Sequence, residues 1–421
     1  MRSKLLVLGL LGIGIIITIV LASSCSDINT VGDPHFESDG TYKQDSSESL
    51  FSPQVPTTVK FFVEVSGSMN GFFRPNRPTQ FKVDVWQILS HYSSIAPEVT
   101  ILTNNGDVGA SIPMADFRTK MNTGAFVSSA STKVPLMLQS IISNLDPDEG
   151  EVAVLISDMK YSPVGAAAPD VLLTQYSTDI SKILGSYGKS VSLVGATSDY
   201  LDKGGNVIAD KSPYYYFIIG NGEQVASVRN DISALLEMNE HFIDNFDSGF
   251  DYGQVSCSFG IPNGCFQMDD INPTFIGLEE DTCIIKMKVD LESYRWILSD
   301  PAIFTEAFKA EPLFGSNCSF DCVEIEVNNI TEEDGTKHLK RKATAMVTLK
   351  VFDLAQDSEV VEWSINLPDT EISRFAPFFG ATDENDVTKS YSVDNFIIGM
   401  IRDSVVNKKP KSSYILISKN Q

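Results

Sequence analysis

The chain reads as an α/β protein: a doubly wound, mostly parallel sheet followed by a smaller antiparallel β-rich unit. Three observations predict this. From residue 57 to about 240, short apolar runs rich in β-branched and aromatic residues alternate with longer segments whose apolar positions recur at helical spacing. Such alternation builds βαβ units and a sheet covered on both faces. Beyond residue 240 the texture changes to short segments between turn signals, and Lys342–Phe352 alternates apolar with polar as a half-buried strand does.

In order, Val59–Val65 is the first buried strand. Phe81–Ile95 carries Val85, Ile88, Leu89 and Tyr92 on one helical face. Val99–Leu102 is the second strand, and Asp107–Ile112 suits a short edge strand. Lys133–Leu145 is a helix with Val134, Met137, Leu138, Ile141 and Ile142 on one side. Val152–Ile156 is a further buried strand, Val171–Leu184 a helix, Val191–Gly195 and Tyr214–Ile219 two more strands, and Gln224–Met238 a closing helix. In the second part, Thr282–Val289, Cys322–Val327, Lys342–Phe352 and Val360–Ile365 read as strands of a small sandwich. Ser299–Phe308 and Val393–Val406 read as helices and Tyr414–Ile417 as a last strand.

The amino terminus is an address. Arg2 and Lys4 precede an apolar core, Leu5–Leu21, and then Ala22, Ser23 and Ser24 lead to Cys25. This resembles a bacterial lipoprotein signal peptide, which implies that Cys25 is lipidated and becomes the first mature residue; Ala22 stands where that family prefers Leu. The other reading is an uncleaved transmembrane anchor, since the apolar run is long enough to span a bilayer. Either makes an exported protein held at a membrane. Ser26–Pro56 is polar, acidic and without period, and is expected to be a flexible tether. The expected divisions are therefore 1–24, 25–56, 57–240 and 241–421.

The net charge is −23, and loss of residues 1–24 takes away Arg2 and Lys4 and makes it −25. A chain so acidic lacks the basic footprint of a nucleic-acid binder. Five cysteines follow Cys25: Cys257, Cys265, Cys283, Cys318 and Cys322. In an oxidising compartment they allow two pairs and one free thiol. Cys257 and Cys265 flank FGIPNG and suit a hairpin staple; Cys318 and Cys322 suit a small loop; the pairing stays open.

Residues 59–73, VKFFVEVSGSMNGFF, carry the chemistry. Glu64, Ser66 and Ser68 stand together where the first strand ends, the end at which open α/β sheets bind ligands. Carboxylate and hydroxyl oxygens suit a hard cation. Ser131-Thr132 stands just before the Lys133 helix, and VAVLISD ends its strand in Asp158. These three segments resemble the motifs of von Willebrand factor A domains, whose first motif is Asp-x-Ser-x-Ser where this chain has Glu-x-Ser-x-Ser. The resemblance covers residues 57–240. It implies a metal-ion-dependent adhesion site with Ser66, Ser68 and Thr132 as direct ligands, Ser131 and Ser129 being rivals of Thr132. Glu64 and Asp158 would hold the cation's waters. The ion implied is Mg²⁺, or Mn²⁺ or Ca²⁺, and a partner protein's carboxylate would complete its shell. Glu64, one methylene longer than Asp, and Lys160, whose ammonium can neutralise both acids, open the alternative of a metal-free site in a scaffold.

Phe72 and Phe73 follow the motif and suit either a partner surface or burial. His35, His91, His241 and His338 are scattered, without a nucleophile at catalytic spacing, so an enzyme is not expected. The expected function is that of a cell-envelope lipoprotein that binds a partner protein, with a structural scaffold of an envelope assembly as the alternative.

Overall fold

The computed structural model describes residues 36, 43, 50–102, 108–126, 133–161, 169–294, 301–333, 336–366, 374–380, 386–401 and 411–419. The leader, Cys25, Thr132 and its rivals Ser131 and Ser129 lie outside these residues. Among the described residues no helix is long and apolar enough to cross a membrane.

The first layer is a seven-stranded sheet of β1 (Thr58–Glu64), β2 (Glu98–Leu102), β3 (Val108–Pro113), β4 (Glu151–Ser157), β5 (Ser190–Leu201), β6 (Val207–Gly220) and β7 (Phe242–Ser248), in the order β3-β2-β1-β4-β6-β5-β7. Helices cover both faces, because side chains alternate along each strand. Val63, Ile156, Tyr214 and Tyr216 face α1 (Gln80–His91), α2 (Met114–Thr123) and α5 (Gly222–Met238). Phe62, Leu155, Tyr215 and Phe217 face α3 (Val134–Ser143) and α4 (Pro169–Tyr187).

The sheet is mixed rather than mostly parallel. Only β2-β1-β4 run parallel; β3, β6, β5 and β7 each pair antiparallel. The physical reason lies between β5 and β6. No helical segment separates them, and the stretch Asp202–Asn206 makes a tight turn instead. Asp202 Oδ1 accepts the Asn206 amide at 2.9 Å, and Gly205 takes φ +83°. Two apolar strands joined by such a turn must form a hairpin, whereas a parallel pair needs a crossover.

The remaining strands form two facing sheets. One is β12-β15-β16-β10-β9, built from β9 (Phe266–Met268), β10 (Thr274–Leu278), β12 (Phe308–Pro312), β15 (Ser358–Ile365) and β16 (Ser413–Lys419). The other, β13-β14-β11-β8, is built from β8 (Cys257–Gly260), β11 (Thr282–Asp290), β13 (Asn317–Glu333) and β14 (Thr336–Phe352). Among the described strands of these two sheets, only β10 and β16 pair in parallel. Rings close the space between the sheets: Phe308 lies 4.8 Å from Phe320 and 5.9 Å from Trp363. Cys318 and Cys322 lie on one continuous strand, β13, in register with Val351 and Val347. Four strand residues span about 13 Å, beyond the ~7 Å that a disulfide bridges, so they do not close a small loop.

Helix α5 joins the two parts. Every residue from Val225 to Leu236 is at least mostly buried, since the helix packs on the large sheet on one side and on β13 and β14 on the other. Its guanidinium, Arg229, is fully buried and is neutralised by Asp247 on β7, with Nη2 donating to the Glu292 carbonyl at 3.1 Å. Two elements beyond residue 240 complete the first layer. Strand β7 extends the large sheet, and a helix near the carboxyl terminus, Val393–Ile401, shares its second core through Phe396, Ile397 and Met400. In the stretch expected to be a tether, Phe36 is buried against Val360, Tyr414 and Leu416, and Phe51 packs 5.5 Å from Tyr252.

Candidate functional site

The parallel register of β1 and β4 runs to Val63–Ile156, and the next residues, Glu64 and Ser157, each still paired to its other neighbour strand, stand side by side on the face of α3 and α4. Ser157 Oγ donates to Glu64 Oε2 and accepts the Met159 amide at 2.7 Å. Both side chains are fully buried. Met159 is held in the left-handed region, φ +55°, with its side chain buried. That conformation costs a non-glycine residue about 1–2 kcal/mol, and such strain clusters at functional sites.

After β1 the chain makes a tight 3₁₀ turn, Ser68–Gly71. Ser66 Oγ and Ser68 Oγ lie 2.8 Å apart, Ser66 buried and Ser68 half-buried. Tyr200 donates its hydroxyl to the Ser68 carbonyl at 2.8 Å and lies across the turn. Gly71 permits this approach, because a Cβ there would meet the Tyr200 ring at 2.3 Å.

Asp158 follows β4. Its Oδ1 accepts the Lys160 amide at 3.2 Å, while Oδ2 is buried with no partner among the described residues. Three phenols stand around the two acids. Burial raises the pKa of Tyr200 and of Tyr215, and the charge of Asp158 raises each further. Burial raises Tyr176 most, followed by Tyr161 and then Glu64. These tyrosines stay protonated; Tyr200 and Tyr215 are hydrogen-bonded to the Ser68 carbonyl and Ser390, and the Tyr176 hydroxyl is buried without a partner among the described residues.

The carboxyl-terminal segment covers this rim. Ser390 Oγ meets the Tyr215 hydroxyl at 2.5 Å, Ser392 Oγ accepts the Tyr161 amide at 3.1 Å, and Lys160 Nζ donates to the Asp386 carbonyl at 3.4 Å. Beside the rim runs a groove between α3 and α4, lined by Lys133, Leu136, Gln139, Tyr161, Asp179 and Lys182.

Of the expected site residues, Glu64 is the last residue of β1, Ser66 and Ser68 follow it, and Asp158 follows the adjacent strand β4. Thr132 lies outside the described residues. The cap position of α3 falls on Lys133, whose side chain makes no capping bond. Phe72 and Phe73 form no partner surface: both are buried, packed 5.1 Å from Phe81. His91 and His241 sit on Asp231 and Asp84. Sequence reasoning missed Ser157, Tyr200, Ser390 and Ser392. Ser157 was legible as the residue before Asp158 on a strand whose alternation turns it toward Glu64; the others are brought in by long-range packing. Among the described residues no three His, Cys, Asp or Glu side chains gather as a metal cluster, so a cation here would depend on hydroxyls. No family model, no curated protein and no solved structure matches the chain.

Proposed function

We propose that this chain is a cell-envelope lipoprotein, tethered through Cys25, that binds a partner protein at the rim where β1 and β4 end, with a variant of the von Willebrand factor A cation site at that rim. One observation carries the reading: Asp158 Oδ2 is buried without a partner among the described residues, at a rim that also holds two hydroxyls 2.8 Å apart. A buried carboxylate oxygen left without a donor is costly unless a ligand completes it. Neighbouring ligands on an octahedral Mg²⁺ with bonds of ~2.0–2.1 Å lie about 2.9 Å apart, so the hydroxyl pair fits two adjacent positions. Ser66 and Ser68 would hold the ion, with Asp158 balancing its charge, and the ion would supply an acceptor for a partner's carboxylate. The groove beside the rim carries Lys133 and Lys182, which suits an acidic partner segment.

A second reading, a metal-free scaffold, is favoured by Glu64, whose Oε2 is already occupied by the Ser157 hydroxyl. Isothermal titration with Mn²⁺ separates the two. Binding heat in the wild type that is lost in Ser66→Ala/Ser68→Ala supports the cation site. Equal heats from both, or none from either, leave the scaffold.

A further inference from the structure

We infer that Cys265 and Cys283 form a disulfide that ties the turn after β8 to the buried strand β11, linking the two sheets of the sandwich. All five described cysteines are reduced in the structure, so their placement alone decides which can meet. Strand β8 pairs with β11 from Val289–Cys257 to Lys286–Gly260. It therefore carries the chain toward the Cys283 end of β11, and residues 261–265 turn there. Strand β9 then pairs Phe266 with Ile276 on β10, which leads directly into β11. Cys265 thus arrives at the β10–β11 connection, where Cys283 points into the core.

Other partners of Cys283 are excluded by distance. Cys283 and Cys318 flank Val351 of β14 from opposite sides. That puts them two strand spacings apart, about 9.6 Å, against a limit of ~7 Å. Cys257 stands opposite Val289, six residues and about 20 Å along β11 from Cys283. This also removes Cys257 as the partner of Cys265. Independently, burial pushes the Cys283 thiol up to about 12, and nearby Cys265 adds to that rise.

The partial exposure of Cys265 sets the order of events. Its thiolate attacks a disulfide oxidant, forming a mixed disulfide and releasing one thiol of the oxidant. Cys283 then loses its proton and attacks the Cys265 sulfur, releasing the second thiol. Two protein thiols are oxidised by two electrons, and the oxidant's disulfide is reduced to two thiols. An oxidising envelope supplies such an oxidant, and to that extent the inference rests on the proposed location.

The test equilibrates the full folded chain with oxidised glutathione, alkylates it and maps the peptides without reduction. A Cys265–Cys283 linked peptide is expected, with Cys257, Cys318 and Cys322 alkylated. The bridge raises the thermal midpoint by roughly 5 °C, a rise absent in Cys265→Ser. Alkylation of both Cys265 and Cys283, or linkage of either to another cysteine, overturns the inference. Mapping protein taken directly from cells tests location separately. A bridge that forms with glutathione but is absent in cells refutes the envelope reading and leaves the pair standing.

Discussion

Two buried aspartates, one on a helix and one just beyond a strand end, show what distinguishes a strut from a site. Asp84, on α1, is fully buried, and its oxygens accept from the Tyr214 hydroxyl at 2.9 Å, His241 Nδ1 at 2.8 Å and the Asn239 amide at 2.7 Å. Asp158, within electrostatic reach of the neighbouring Tyr215, has one oxygen on the Lys160 amide and the other without a partner among the described residues. Protein donors have saturated the first carboxylate. The second retains acceptor capacity that the described residues do not use. Burial alone therefore says little about function, and the count of unmet hydrogen bonds says more.

Breaking the saturated acid has the largest effect. Asp84→Ala strands three donors in the core and is expected to destabilise the fold by about 3–5 kcal/mol in urea titrations. Asp84→Asn keeps the shape, loses less, and removes a pH dependence. Burial raises the Asp84 pKa above its ordinary value, against the lowering by Asn239, His241 and Tyr214. Its contribution is complete below the unfolded value of 3.8 and is lost as pH rises through the raised folded value. The wild type should therefore gain stability over Asp84→Asn as pH falls toward 4, and a gap that is constant with pH would show that Asp84 stays ionised.

Asp158→Asn is the converse. With no cation present its stability should change by less than about 1 kcal/mol, because the lost oxygen has no partner among the described residues. Mn²⁺ affinity should fall at least tenfold. A destabilisation as large as that of Asp84→Ala would mean Asp158 is a strut as well, and the distinction between the two acids would collapse.

The large elements were legible because their signals are local. Periodicity placed β1, α1, β4 and α5, and the end of β1 placed Glu64, Ser66 and Ser68. Strand direction was not legible, because it depends on whether a connection crosses over, and the short polar turn at Asp202–Asn206 lies outside the apolar periods that mark strands and helices. Nor were the partners of the rim. Tyr200, Ser390 and Ser392 lie far from residue 64 in the chain, and nothing in their own neighbourhood marks them. Helix α2 carries only Phe117 and Met121 as buried residues, too few to declare a face.

Tyr200 sharpens the comparison at smaller scale. Tyr200→Phe keeps the ring on Gly71 and removes only the bond to the Ser68 carbonyl, an expected cost of about 1 kcal/mol. If the hydroxyl positions the turn for an ion, Mn²⁺ affinity also falls, by several-fold; calorimetry on the folded variant reads this directly. A stability loss with unchanged affinity would assign Tyr200 to the fold alone.

The smallest effect belongs to Lys82, which clamps the segment following the Ser68–Gly71 turn. Its amine donates to the carbonyls of Arg74 at 2.5 Å and Arg77 at 3.0 Å, and burial lowers its pKa from 10.5 to about 8. Between those values the unfolded chain holds a proton that the folded chain does not, so stability rises with pH across that window. Below pH 8 both states are charged and the contribution is constant. The difference in stability between the wild type and Lys82→Met should therefore be flat up to about pH 8 and increase toward pH 10, by under about 1 kcal/mol once solvent screening is allowed for. Buried tyrosines titrate in both proteins and cancel in the difference. A flat difference across the whole range would mean that Lys82 keeps its charge in the fold, held by the two carbonyls as an ammonium.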